Sequence, residues 1–149
     1  MDPVKDKFRL ENQLCFRLYT VSRLLTQAYR PYLSARGLTY PQYLVLLVLW
    51  EKDAQPVNDI AGKLLLETNT VTPLLQRMEK EGILVREKGR EDGRQTIVKL
   101  TRRGRALQKT LSDVPDAMGA AVMCGSVTPQ TAPTLFRMLD DMTRTLLSH

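Results

Sequence analysis

The chain has 149 residues, 43% hydrophobic and 26% charged, ordinary values for a globular domain able to bury its own core. One histidine, at the final position, leaves no His cluster for a metal and no His-based triad, so no cofactor is expected; the longest apolar run, Tyr43 to Trp50, is too short to span a membrane. The segment MDPVKDKFRLENQ has no apolar export core and there are only two cysteines, which points to the cytoplasm, while a net charge of +6 points to a polyanionic partner.

From about Leu10 to Leu33, Leu14, Leu18, Val21, Leu25, Ala28 and Tyr32 recur at spacings of three and four, the stripe of an amphipathic helix. Pro31 is expected to kink or end it, and Gly37 to mark a break. Thr39-Tyr40-Pro41-Gln42 reads as a capping box opening a helix through Trp50. That helix is apolar nearly all round, as a core helix should be. Asp53 to Pro56 reads as a turn.

Two short helical patterns follow closely. Val57, Ile60, Ala61 and Leu64 mark the first; Val71, Leu74, Leu75 and Met78 mark the second, which stops at Gly82. This is the spacing of a helix-turn-helix. The outer face of its second helix carries Asn69, Thr72, Pro73, Gln76, Arg77 and Lys80, most of them suited to base edges and phosphates. The period then changes to alternation. Leu84 to Lys88 and Gln95 to Leu100 predict two strands joined by a charged tip containing Asp92-Gly93, a two-stranded wing. Residues 86–109 hold nine of the 22 basic residues and three of the 16 acidic ones, so this stretch alone has a charge equal to that of the whole chain.

Thr101 is expected to cap a helix over Arg103 to Val114, interrupted by Pro115. A looser stretch from Asp116 to Ser126 leads to Thr128-Pro129, read as the start of a last helix striped by Leu135, Met138, Leu139, Met142 and Leu146. The fold class is thus mainly α with a small β-hairpin, a winged helix-turn-helix with flanking helices in one domain. Within it, residues 57–82 form the helix-turn-helix and 84–100 the wing.

With LTYPQYLVLLVLW at 38–50, LETNTVTPLLQRMEKEGIL at 66–84, EDGRQ at 91–95 and LTRRG at 100–104, in that order and spacing, the chain resembles the MarR family of bacterial transcription regulators over most of its length. NQLCFRLY at 12–19, YRPYL at 29–33 and LTYPQY at 38–43 resemble the organic hydroperoxide sensors of that family, the OhrR type. The resemblance implies a DNA-binding homodimer, paired through residues 10–36 and 128–149, that represses from an inverted-repeat operator. It implies a peroxide-reactive thiol at Cys15, supported by Tyr19, Tyr29 and Tyr40. It also implies a candidate resolving cysteine at Cys124. For DNA it implies recognition-helix contacts from Thr68, Asn69, Thr70, Thr72, Gln76 and Arg77, and wing contacts from Lys88, Arg90, Asp92 and Arg94. Asp92 and Arg94 would pair, with Arg94 reaching the minor groove, whose potential attracts arginine where A·T pairs narrow it.

The chemistry is coherent with that resemblance. Cys15 and Tyr19, four apart, share a helix face. Tyr29 shares it too, but about 21 Å further along the axis. If Cys15 and Tyr29 meet, they do so between chains, through antiparallel pairing of two first helices. Phenol O–H donors beside a sulfur favour the thiolate, whose first oxidation product is a sulfenic acid. Without the resemblance, a lone cysteine at Cys15 reads more readily as a small buried hydrophobe than as a sensor, and Cys124 also reads as a free thiol in a loose connection. A regulator released by a small phenolic ligand and, in another class, a thiol peroxidase are the alternatives. The peroxidase lacks a thioredoxin-like pattern or CxxC motif, so no enzyme is expected.

Overall fold

Local capping chemistry sets several of the helix ends in a computed structural model of the chain, which describes residues 2–149. After a short α1 (Pro3–Lys7) and a 3-10 turn (Leu10–Asn12), α2 runs over Leu14–Ser34. Pro31 does not end it: near the C-terminus its missing N–H deletes one hydrogen bond, and the helix continues for a further turn. Gly37, at φ +70°, closes it, with the Leu38 N–H on the Leu33 carbonyl and both leucines buried. Thr39 and Gln42 then form the expected capping box of α3 (Tyr40–Glu51). Val45, Leu46, Val48 and Leu49 of α3 are buried at the centre of the core.

The helix-turn-helix comprises α4 (Val57–Leu64) and α5 (Thr68–Lys80). Its turn passes through Leu65 in the left-handed region at φ 56°, with the Leu66 N–H on the Ala61 carbonyl. Gly82, at φ +74°, ends α5: the Ile83 N–H donates to Met78 O and the Gly82 N–H to Glu79 O. The chain leaves directly into the wing.

The wing has three strands, not two. Its sheet has the order β1-β3-β2, all antiparallel, from β1 (Gln55–Pro56), β2 (Leu84–Lys88) and β3 (Thr96–Leu100). Gln55, in the segment read as a turn, pairs with Val98, and Leu84 to Lys88 pair with Leu100 to Thr96. Two residues ending in proline carry no alternation to see. Tertiary partners hold them instead: buried Gln55 donates from Nε2 to the Val48 carbonyl at 3.1 Å, and the Asp53 carboxylate accepts the Leu100 N–H at 2.9 Å.

The wing returns to α6 (Arg102–Thr110), capped by Thr101, whose Oγ1 accepts the Gly104 N–H. The same hydroxyl reaches the Gly82 and Ile83 carbonyls, and the Thr101 N–H also donates to Ile83 O at 3.1 Å. Trp50 adds a bond from Nε1 to the Gly104 carbonyl at 3.0 Å.

The described residues divide into two compact units, 2–112 and 113–149. In the second, α7 (Val114–Val122) replaces the expected loose stretch. Pro115 lies in its first turn, where a missing N–H deprives the helix of nothing, so it opens a helix instead of interrupting one. The last helix, α8 (Ala132–Leu147), starts later than Thr128-Pro129: Thr128 and Thr131 exchange backbone-to-hydroxyl bonds in the preceding turn.

A side chain at Gly104 has no room, since an added Cβ would lie 2.2 Å from the Ile83 carbonyl oxygen. Gly104→Ala is expected to destabilise the chain by about 3 kcal/mol in urea unfolding. A change under about 1 kcal/mol would show that α6 can shift away from Ile83 at little cost.

Candidate functional site

Helix α5 divides into two faces. Val71, Leu74, Leu75 and Met78 are buried, while Thr68, Asn69, Thr70, Gln76, Arg77 and Lys80 are exposed. Thr72 is half-buried and turns its hydroxyl inward, to the Thr68 carbonyl at 2.9 Å. The Thr68 hydroxyl meets Asn58 of α4 at 3.3 Å. Among the described residues the side chains of Gln76, Arg77 and Lys80 make no hydrogen bond or ion pair. Glu67 provides no side-chain cap to the first turn, although its carbonyl accepts the Thr70 N–H at 3.0 Å.

The wing tip is ordered by its own backbone and by one acid. The Gly89 N–H donates to Gln95 O, and the Gln95 N–H to Asp92 O. Asp92 Oδ1 accepts both the Arg94 N–H, at 3.0 Å, and Arg94 Nε, at 3.3 Å. The Arg94 side chain is nevertheless 95% exposed, held at its base and free at its end. Lys88 and Arg90 are exposed as well. Other cations of this region serve the fold: Arg103 binds the Glu81 carbonyl, Arg105 the Leu100 carbonyl, and Lys99 pairs with Glu87.

Glu79 joins α5 to the wing. Its carboxylate accepts the Arg86 backbone N–H at 2.8 Å and pairs with the Arg86 guanidinium at 3.2 Å. The backbone bond, aided by the guanidinium, holds the Glu79 carboxyl below the ordinary carboxylate value. No helix spacing rule connects residues 79 and 86 across the end of α5, and sequence reading missed this strut.

The thiol and the phenols separate along α2. Cys15 and Tyr19 lie exposed near its start, whereas Tyr29 stacks on Tyr40 with ring centroids 4.7 Å apart. Tyr43 joins them, 5.6 Å from Tyr29, and was not anticipated. Burial raises the pKa of all three phenols, so at neutral pH they remain O–H donors. The α2 helix is unbroken, so Tyr29 stands about 21 Å from Cys15 along the axis and the two do not meet within one chain. Cys124 is an exposed free thiol in the second unit, in the turn after α7, where it bridges to Val127.

Comparison with known proteins places these features. Residues 27–111 match the family described as transcriptional regulator SarA/Rot. The chain is 38% identical over 138 residues to the organic hydroperoxide resistance transcriptional regulator of Bacillus subtilis (strain 168), covering 92% of this chain and 94% of that one. This chain belongs to the MarR/SarA family of winged-helix transcriptional regulators. Two solved structures of AbfR, a Staphylococcus epidermidis protein, extend the likeness. Reduced AbfR bound to DNA superposes with a TM-score of 0.78 at 38% identity, over 97% of this chain and 99% of that one. Disulfide-formed AbfR superposes with a TM-score of 0.66 at 37% identity, over 97% of each chain. Within this fold, α4, α5 and the wing form the winged helix-turn-helix. No helix among the described residues is long and apolar enough to cross a membrane.

Replacing Glu79 by Gln is expected to lower stability by about 1 kcal/mol at neutral pH, a charged hydrogen-bond pair discounted for its partial exposure. Because folding lowers the Glu79 pKa, its contribution is complete above the ordinary value of 4.5 and is lost as pH falls through the folded value. Urea unfolding at pH 7 and near pH 3 should therefore show the difference between parent and Glu79→Gln closing. A difference independent of pH would mean that the carboxylate charge contributes nothing.

Proposed function

We propose that this chain is a homodimeric repressor that holds an inverted-repeat operator and releases it when an organic hydroperoxide oxidises Cys15. The observation that carries this reading is an exposed thiol beside exposed apolar residues on the helix that also carries Tyr29 of the phenol cluster. Leu14 and Phe16 are exposed beside Cys15, Val21 and Leu24 are exposed further along α2, and Phe136, Met138, Leu146 and Leu147 are exposed on α8. Burying such faces against a second copy is the ordinary solution for an obligate dimer. Antiparallel pairing of two α2 helices brings Tyr29 and Tyr40 to Cys15 of the partner subunit.

In that setting the phenols donate to the sulfur and favour its thiolate. The thiolate attacks the terminal peroxide oxygen, the O–O bond breaks, and the alkoxide leaves, taking a proton to become an alcohol; Cys15 becomes a sulfenic acid. Cys124 is the proposed resolving thiol: its sulfur attacks the Cys15 sulfur, water leaves, and a disulfide forms. The reduced, DNA-bound and the disulfide-formed states of AbfR support such a cycle, and the hydroperoxide regulator of Bacillus subtilis supports the oxidant class. Each chain consumes one peroxide and does not turn over, so the protein is not an enzyme.

On DNA, the outer face of α5 is assigned to the major groove through Thr68, Asn69, Thr70, Gln76 and Arg77, with Thr72 shaping the backbone beneath them. Lys88, Arg90 and Arg94 are assigned to the wing contacts, with Asp92 orienting Arg94 toward a minor groove. Two-fold symmetry places two such units on successive turns of the duplex.

Cys15→Ser is expected to bind DNA from upstream of its own gene as the parent does, and to stay bound after cumene hydroperoxide. A Cys15→Ser protein that still dissociates would refute thiol sensing. Cys124→Ser should still form the sulfenic acid and lose the disulfide band in non-reducing electrophoresis. Arg94→Ala is expected to weaken DNA binding about tenfold and to reduce the slope of log affinity against log salt by about one, measured by fluorescence anisotropy. An unchanged salt slope would place Arg94 off the phosphates and the groove.

A further inference from the structure

From Tyr29 a continuous line of side chains leads to the base of the recognition helix. Tyr29 of α2 packs on Tyr40 and Tyr43 of α3, and Tyr43 meets Trp50, on the last turn of α3, edge to face at 6.2 Å. The indole N–H of Trp50 is bonded at 3.0 Å to the Gly104 carbonyl of α6. Gly104 in turn abuts the Ile83 carbonyl so closely that not even a methyl group would fit between them. Ile83 is fully buried and is the residue through which α5 turns into the wing.

We propose that Trp50 is a positioning residue, carrying displacement of the tyrosine cluster to the junction of recognition helix and wing. This rests on the thiol-sensing reading above, in which Tyr29 is the phenol that meets the oxidised sulfur. The geometry explains why Trp50 and not another core residue does this. Packed interiors shift between discrete arrangements instead of deforming smoothly. A ring moved at Tyr29 presses on Tyr43, and Tyr43 presses on the indole. The directional N–H bond ties that indole to α6, and the missing side chain at Gly104 leaves no slack before Ile83. Tyr43, the middle of the line, is buried, so at that ring the push has no outlet to solvent. Leucines elsewhere in α3 pack on several elements at once without a directional bond to any.

The test is Trp50→Phe in the full-length protein, which keeps an aromatic ring against Tyr43 and removes the bond to Gly104. DNA from upstream of its own gene is titrated with reduced and cumene hydroperoxide-treated protein, while loss of iodoacetamide labelling at Cys15 reports oxidation. The parent is expected to lose affinity about tenfold or more on oxidation, and Trp50→Phe less than about threefold, with Cys15 oxidised at the same rate in both. Equal loss of affinity in the two proteins overturns the role of Trp50 alone. A parent that keeps its DNA when Cys15 is oxidised overturns the sensing reading and this inference with it. Should Trp50→Phe fail to fold, the parent decides. It has one tryptophan, hence one indole N–H resonance in a nitrogen-labelled sample. That resonance is expected to move on oxidation of Cys15, and coincident resonances in the two redox states overturn the inference.

Discussion

The Ile83 carbonyl lies where the recognition helix, the wing and α6 come together, and the orientation of the DNA-binding elements depends on it. It accepts the Thr101 N–H and hydroxyl, and it closes against the bare α-carbon of Gly104. Gly82 and Ile83 end α5 by wrapping back onto Glu79 and Met78, so the helix axis is set by the same few atoms that start β2. Glu79 and Arg86 brace the angle from outside. A DNA reader of this kind needs helix and wing held at a fixed separation, because grooves are spaced by the duplex and not by the protein.

Around that junction, polar groups are used sparingly and in fixed places. Gln55 and Gln42 are the buried polar residues among the described core, and each is satisfied by a backbone group: Gln55 donates to the Val48 carbonyl, and Gln42 accepts the Thr39 N–H. Asp53 satisfies the N–H of Leu100 at the end of β3. The result is a small sheet whose short third strand pairs with β3 and is braced by side chains. Against this well-anchored unit, α2 is lightly anchored, with Leu33 its one buried residue. A helix that fixes the tyrosine cluster at one end and presents an apolar face and a thiol at the other suits the proposed role as both dimer surface and sensor.

Much of this was legible in the chain because the signals are local. Thr39 and Gln42, Gly82, Asp92-Gly93 and Thr101 act over three or four residues, and helices and wing appeared where these marks stood. The alternation of 84–88 and 96–100 gave the hairpin, and the periodicity of α5 separated its buried face from its exposed one. Two prolines were less decisive than expected. Pro31 does not end α2 and Pro115 opens α7, because near a helix end or start a proline sacrifices little.

By itself the sequence determined the helical caps, the order of elements, the exposed basic wing and the identity of the thiol and phenols as candidates. The first three depend on neighbours along the chain or on residue chemistry, and the thiol and phenols on the resemblance to the hydroperoxide sensors. Only the tertiary structure decided that Gln55-Pro56 is a strand, that Glu79 braces Arg86, that Tyr43 completes the cluster and that Trp50 is tied to Gly104. Trp50 and Gly104 are 54 residues apart. Such partners are chosen by packing of the whole core, and no periodicity or spacing within a single segment encodes them.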